Sequence, residues 1–485
     1  MAGDPLIELR ISDGDYDRLY AHLFPGDGDE HGAILLAGEH HVSNGSILAV
    51  RETHLLDWDE FPPGTHGYRQ FAAGSLARLG NRAAEERLAV VTVHSHPGAR
   101  ERNSLSRDDL AAHERVFPHL LDITSAASVT GIALGEASAA GETWRRDGGR
   151  QELASVKVVG PNMRTLRPRP VEYQEDDNGR FERQVLLFGA VGQARLRTLH
   201  VGVLGAGGGG SILIEQLAHL GVGQITAVDP DIVKRHNLSR IIGATERDAR
   251  DERSKVEVAR DHVRRIDPSI RFNAINGDIS HAHIAQRLVA CDYLLLATDT
   301  ATARLVANAM AQSFLIPLIQ IGAKVELREN GEIEQIYTAV RPVLPRHGCL
   351  SCAGLIDPVL LQREAATPEQ RAQQNYLGQA DVVDPSVTTL NVAAAAGALN
   401  AFLMSVIGQA DPYLAEHRIA LMREGRVLVT TPECDPDCRW CGEVSHSRYA
   451  RADLGLLPLR PTAEPQMSKS TVQRLIAKVG HAFAR

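Results

Sequence analysis

Between Val201 and Val228 the sequence passes from a short apolar stretch, VGVL, into Gly205-Ala206-Gly207-Gly208-Gly209-Gly210, then through an apolar periodic segment to Leu220 and a second stretch, Gln224 to Val228, that ends at Asp229. A glycine run of this kind is costly inside any regular element, so it has to be a turn. Strand, glycine turn, helix and second strand together make a parallel sheet with a crossover helix. Glycines in that turn allow close approach of backbone to phosphate at a helix N-terminus, whose unpaired N–H groups favour anions. Asp229 stands where ribose hydroxyls are bound. Alone, the pattern points to a nucleotide, and NAD is its commonest tenant.

The residues downstream argue against hydride transfer. Asn237-Leu-Ser-Arg240, Ser254-Lys255 and Thr298-Asp299, with Arg180-Phe-Glu-Arg183 upstream, suit ATP. Arg240 and Lys255 can neutralise a triphosphate, Asn237 can fix it, and Asp299 can hold Mg²⁺. This combination resembles the ubiquitin-activating (E1-like) superfamily with its ThiF and MoeB adenylating enzymes, over roughly Arg180 to Gly442. The resemblance implies that Gly205, Gly207, Gly208 and Gly210 form the phosphate turn. It further implies that Asp229, Asn237, Arg240, Lys255 and Asp299 contact ATP and magnesium, and that Arg183 reaches the ATP of the other subunit in a homodimer.

Six cysteines in 485 residues are too sparse for a disulfide framework. Cys349-Leu-Ser-Cys352 and Cys438-Arg-Trp-Cys441 form two C-x-x-C pairs, the donor set of a closed structural Zn²⁺ site. Cys434 is near enough in sequence to exchange with one of them, and a redox dithiol is the competing reading. Cys291 sits in an apolar strand entry and reads as a buried, inert thiol.

The N-terminal part carries a different constellation. The apolar run Leu88 to Val93 delivers His94 and His96 onto one face of a strand, and Pro97 ends it. Ser106-Arg-Asp-Asp109 then opens a helix expected over Asp108 to Val116. Two imidazoles and one carboxylate give a His₂Asp site with a fourth position for water, the arrangement by which Zn²⁺ brings a water to a pKa of roughly 7. Glu30, just before the apolar strand Ala33 to Leu36, is the candidate base, with Glu39 at the far end of the same strand as its rival. Ser106-x-x-Asp109 also fits a plain helix N-cap. His40, His41, His54 and His66 read as surface or loop residues.

This second group resembles the JAMM (JAB/MPN+) metalloproteases. What that implies is hydrolysis after the C-terminal glycine of a ubiquitin-like protein, with His94, His96 and Asp109 on zinc, Glu30 as general acid/base and Ser106 supporting the oxyanion. The chain departs from the family in carrying two extra residues between His96 and the serine. At the family's spacing Ser104 would serve, but Arg107 would then occupy the ligand position, so Asp109 is preferred and Asp108 is second.

The fold class expected is α/β. It comprises a JAMM-type α/β metalloprotease domain over 1–155, a Pro-rich linker over 156–179, a Rossmann-like adenylation domain with a Cys₄ zinc over 180–445, and a tail over 446–485 with apolar residues at Val472, Leu475, Ile476 and Val479. A formal net charge of −8 without a polybasic block makes nucleic acid a poor partner. Thr388 to Gly408 is uncharged, but its asparagines and alanines fit a buried helix better than a membrane span. The N-terminus MAGDPLIELR has no basic-then-apolar leader, so a cytoplasmic location is expected.

Together the two constellations predict an enzyme that trims or deconjugates a ubiquitin-like protein and adenylates its C-terminal glycine, in a bacterial conjugation or defence pathway with an E2-like partner. The alternative is activation of a sulfur carrier to a thiocarboxylate. E1-like enzymes often pass the acyl group to a cysteine after the first C-x-x-C. Here that stretch, Gln362 to Asn391, contains none. Ser386, Thr388 and Thr389 are the hydroxyls left there, and Ser and Thr before a helix more often cap it.

Overall fold

A computed structural model describes residues 6–42, 45–57, 60, 71–124, 128–172, 179–328, 330–366 and 385–460. Two eight-stranded sheets organise them. The first contains β1 (Leu6–Ser12), β2 (Gly32–Val42), β3 (Gly45–Leu55), β4 (Ala89–Ser95), β5 (Ser128–Leu134), β6 (Ala139–Arg145), β7 (Arg150–Val159) and β8 (Arg164–Leu166). Their order is β1-β3-β2-β4-β5-β6-β7-β8, and β1 also pairs in parallel with β7, so the sheet closes into a barrel. Alternate residues such as Leu9, Leu35, Val91, Val93, Ile132 and Val156 fill its interior. On the outer face Ile34, Leu36, Val90 and Val129 bury Leu79, Phe117 and Leu120 of the helices Ala73–Glu86 and Arg107–Ile123. Both faces are therefore covered over Ala33–Ala37 of β2 and Ala89–Val91 of β4, which is why those stretches are apolar rather than alternating.

The α/β class holds, while barrel closure and the extent of this unit differ from the sequence reading. The boundary at 155 falls inside β7, because Val156 and Val158 alternate inward and pair with β1. The Pro-rich part of the expected linker begins only beyond Leu166, and residues 173–178 lie outside the described residues.

The second sheet contains β9 (His200–Leu204), β10 (Gln224–Val228), β11 (Arg271–Ile275), β12 (Tyr293–Leu296), β13 (Leu318–Leu327), β14 (Ile333–Val343), β15 (His417–Leu421) and β16 (Arg426–Thr430). They are ordered β11-β10-β9-β12-β13-β14-β15-β16. β9 to β13 pair in parallel and the last three strands antiparallel. β9 leads to β10 on one side and has β12 on the other, so the turn after β9 lies where the strand order reverses, the usual ligand crevice of an open α/β sheet. The helix Thr388–Ile407 is long and apolar enough to cross a membrane by length and composition. It instead buries Ala394, Ala395, Ala398, Ala401 and Phe402 in the core shared with the helix Gly208–Leu220.

Charged side chains join the two units. Arg10 is 2% exposed and donates to the carbonyls of Phe314, Val289 and Cys291 at 3.1–3.2 Å. Lys157 pairs with Glu8 and with Asp292, whose carboxylate also accepts the His200 N–H at 2.7 Å. Burial pushes the Glu8 carboxyl up, but Lys157 and Arg10 overcome this and hold it at about 2. His40 lies on β2 with its ring edge-on to Phe314 rather than on the surface, whereas His66 lies outside the described residues. The first part of the expected tail, to Arg460, is wedged between the units. Arg451 pairs with Glu86 at 2.6 Å, and a Cβ on Gly38 would lie 2.3 Å from the Arg451 carbonyl. The apolar residues Val472, Leu475, Ile476 and Val479 lie outside the described residues. Cys291, Asp292 and His200 stand at the entries of β12 and β9, so this joint is made at the N-terminal ends of the central strands, opposite the glycine turn.

Candidate functional site

Gly205 and Gly210 are required by the turn itself. Gly205 has φ +92°, and a Cβ on Gly210 would lie 1.8 Å from the Gly205 carbonyl oxygen. Gly207 and Gly208 face the crevice: a Cβ on Gly207 would meet nothing within 4 Å, and one on Gly208 would lie 3.3 Å from Arg240 Cδ and 2.4 Å from Asn391 Nδ2. Asp229 ties the turn to β10, since its carboxylate accepts the Ala206 N–H at 2.7 Å and the Asp231 N–H at 2.9 Å. Burial pushes its pKa up, opposed by Lys255, whose Nζ is 3.6 Å from Asp229 and 2.7 Å from Asp231. Buried Asn237 shapes the next loop by accepting the Lys234 N–H at 3.0 Å, and its carbonyl accepts the Arg240 N–H. Asp299 is exposed just beyond β12, whose end packs on Gly205 through Ala297 and Thr298.

Asp229 and Lys255 are thus tied to the turn through the Ala206 N–H, Arg240 reaches Gly208 with Asn237 in the loop behind it, and Asp299 follows the segment that packs on Gly205. Arg183 stands apart, exposed on the helix Glu182–Thr198 beside Leu186, Leu187 and Val191, themselves 79%, 69% and 59% exposed. Glu364 carries no signal in the sequence for the place it takes. Its carboxylate accepts the N–H groups of Ala301 and Thr302 at 2.8 Å, so the helix that follows Asp299 already has an anion at its N-terminus. Only a carboxylate three-dimensionally placed can do this, and nothing local in LQREAA announces it.

At the barrel, His94 Nε2 lies 3.1 Å from His96 Nε2 and 3.1 Å from Asp109 Oδ1, and His96 Nε2 lies 3.4 Å from Asp109 Oδ2. Ligands at zinc distance around a tetrahedron stand roughly 3.3 Å apart, so these donors fit one ion. Asp108 is exposed and outside the group. Asn103, in the stretch lengthened by two residues, accepts from His96 Nδ1 at 3.0 Å and donates to the Ala133 carbonyl at 3.0 Å. It thereby fixes the ring with Nε2 toward the cluster. Its one signal in the sequence is its place in that two-residue insertion.

Asp109 hydrogen bonding, opposed by burial and supported by Asn103 and the Glu30 charge, raises the His96 pKa. Burial pushes Asp109 up, but His94 and His96 outweigh it and hold the carboxyl well below the usual carboxylate range. Ser106 Oγ accepts the Asp109 N–H at 3.1 Å, while Asp109 Oδ2 accepts the Ser106 N–H at 2.7 Å. That is a capping box, so the N-cap reading of Ser106 is realised and Asp109 faces the histidines from a rigid helix start.

The four paired cysteines come together at Sγ separations of 3.6 Å (Cys349 to Cys352), 3.7 Å (Cys349 to Cys438) and 3.4 Å (Cys352 to Cys441). Thiolates on a tetrahedral zinc stand roughly 3.8 Å apart, so the donor set fits a closed site. Cys434 lies 3.2 Å from Cys441. Cys291 is fully buried, and burial raises its pKa, so it is no nucleophile. Of the stretch Gln362 to Asn391, residues 367–384 lie outside the described residues. Ser386, Thr388 and Thr389 do not cap the following helix: its N-cap is Val387, without a side-chain bond.

Residues 181–439 match the model of the ThiF family. A molybdopterin-synthase adenylyltransferase of Escherichia coli (strain K12) is 33% identical over 182 residues, 37% of this chain and 70% of the relative. A sulfur carrier protein ThiS adenylyltransferase of Bacillus subtilis (strain 168) is 29% identical over 197 residues, 38% of this chain and 57% of the relative. The crystal structure of E. coli MccB with ATP covers 56% of this chain and 76% of its own, at 20% identity and a TM-score of 0.44.

Proposed function

The chain belongs to the ThiF family, and from that premise we propose that its second unit adenylates the C-terminal carboxylate of a small sulfur-carrier protein. The observation that carries the proposal is a glycine turn that opens a helix, with Arg240 Cδ beside Gly208 and Lys255 paired to Asp229, the carboxylate that holds the turn's Ala206 N–H. Backbone N–H groups at that helix start seat phosphate, and Arg240 and Lys255 offset the charge that grows as pyrophosphate leaves. The carrier's carboxylate oxygen attacks the α-phosphorus, the bond to pyrophosphate breaks, and an acyl-adenylate remains. Asp299 would hold Mg²⁺, which supplies further charge neutralisation. Exposed Leu186, Leu187 and Val191 beside Arg183 supply the apolar face by which a second copy would bring its arginine to the site.

Two features favour a sulfur carrier over a conjugation pathway with an E2-like partner. Relatives are named for molybdopterin synthase and ThiS, and the stretch that would hold an acyl-accepting cysteine has none. The adenylate would then pass to an external sulfur donor, in the cytoplasm where thiols stay reduced. The His94, His96 and Asp109 geometry supports a second activity: these residues would hold Zn²⁺, which would supply an activated water for trimming the carrier's C-terminus, and Glu30, whose charge is felt at His96, would accept that water's proton.

Pyrophosphate exchange with a purified carrier ending in Gly-Gly tests the first activity. Exchange that is lost in Asp299→Ala, with no thioester on a non-reducing gel, is the expected result, and a wild-type chain inert with such carriers sinks the reading. Cleavage of a C-terminally extended carrier by wild type but not by Glu30→Gln tests the second.

A further inference from the structure

Asn391 stands in the first turn of the helix Thr388–Ile407, amid leucine, valine and alanine. Core packing gives no reason for an amide there. Its Nδ2 sits against Gly208, where an added Cβ would lie 2.4 Å from it, while Arg240 Cδ approaches the same atom position at 3.3 Å. The peptide that opens the helix Gly208–Leu220 is therefore flanked by a guanidinium side chain and an amide donor. Ser386 Oγ accepts from Nδ2 at 3.3 Å, a long bond that uses one of its two hydrogens.

We infer that Asn391 binds the nucleotide, its second Nδ2 hydrogen going to a phosphate oxygen seated on the N-terminus of Gly208–Leu220. The inference rests on the adenylating function proposed above and adds a contact from the far side of the crevice, on an element that follows the first C-x-x-C by many residues. It also explains why position 208 has no side chain: any Cβ would separate the amide from the anion.

Calorimetric titration of the full chain with Mg²⁺-ATP and, separately, with adenosine tests it. Losing a hydrogen bond to a charged acceptor weakens binding roughly tenfold or more, so Asn391→Ala should raise the Kd for ATP by about that factor and leave adenosine unchanged. Asn391→Asp, which sets a carboxylate against phosphate, should lose more, and Asn391→Gln should recover part. Melting temperatures report whether each variant is folded. ATP affinity equal to wild type in both Ala and Asp variants overturns the assignment, as does a parallel loss for ATP and adenosine, which would mean a packing role. A wild type that binds adenosine but gains nothing from the phosphates overturns it too, and one that binds neither ligand removes the nucleotide reading of the turn altogether.

Discussion

The two ligand clusters differ in how far along the chain their donors are drawn. His94 comes from β4, His96 from the residue just past its end and Asp109 from the start of the next helix, with two half-buried imidazoles and a carboxylate that already serves as a cap residue. Cys349 and Cys438 touch across 89 residues, and with Cys352 and Cys441 they supply all four positions of a tetrahedron. Local donors on rigid elements add little to the fold and leave one position for a reacting water; distant donors that close the shell act as a cross-link. The difference teaches which ion would work and which would hold.

The largest test of that contrast removes the cross-link. Structural zinc contributes on the order of 10 kcal/mol in small domains, so Cys438→Ser should lose one zinc per chain by elemental analysis and lower the melting temperature by about 10 °C or more. An unchanged melt would break the distinction. Next, His94→Ala should abolish hydrolysis of an extended carrier and empty the barrel site while leaving ATP binding intact. Asp109→Ala should do the same and cost only about 1 kcal/mol of stability through the lost cap. If either variant unfolds the chain, the cluster is structural after all.

A smaller effect is expected from Asn103→Ala, which releases the His96 ring and should weaken zinc at the barrel about 10–100-fold in a chelator competition. The smallest is a pH effect. His96 is raised above its ordinary 6.5. Its charged pairing with Asp109 thus stabilises the metal-free chain fully below 6.5, and this contribution disappears as pH rises through the raised value. Zinc needs the neutral ring and runs the other way, so its affinity should climb with pH through a point above 6.5. A flat profile between pH 6 and 8 would speak against His96 as a ligand.

The glycine turn, the H-x-H pair and the C-x-x-C pairs were legible because each is a local demand: positive φ at Gly205, a strand end that brings His94 and His96 side by side, a knuckle for each cysteine pair. Barrel closure was not, since β1 meets β7 only through the chain's return at Glu152 to Val159. The RPRP composition drew the expected boundary too early, although Val156 and Val158 already carried the strand alternation. Asn103, Glu364 and Asn391 act on partners that are remote, or masked by an insertion. Nothing in the sequence around Arg10 announces its burial, and its three carbonyl acceptors lie 279 to 304 residues away.

Arg10 also bears on how such a chain can be handled. Cutting at the Pro-rich stretch to express the adenylating half alone would strip the donor from Phe314, Val289 and Cys291 and leave Asp292 without Lys157. It would also open the apolar cluster in which Ile47 and Ala49 are buried together with Phe314 and Tyr449. Such a fragment would carry a raw apolar scar and tend to precipitate. The two units are in this sense one piece: the barrel's arginine stands where water would otherwise meet those carbonyls, so neither half keeps its own surface when the other is taken away.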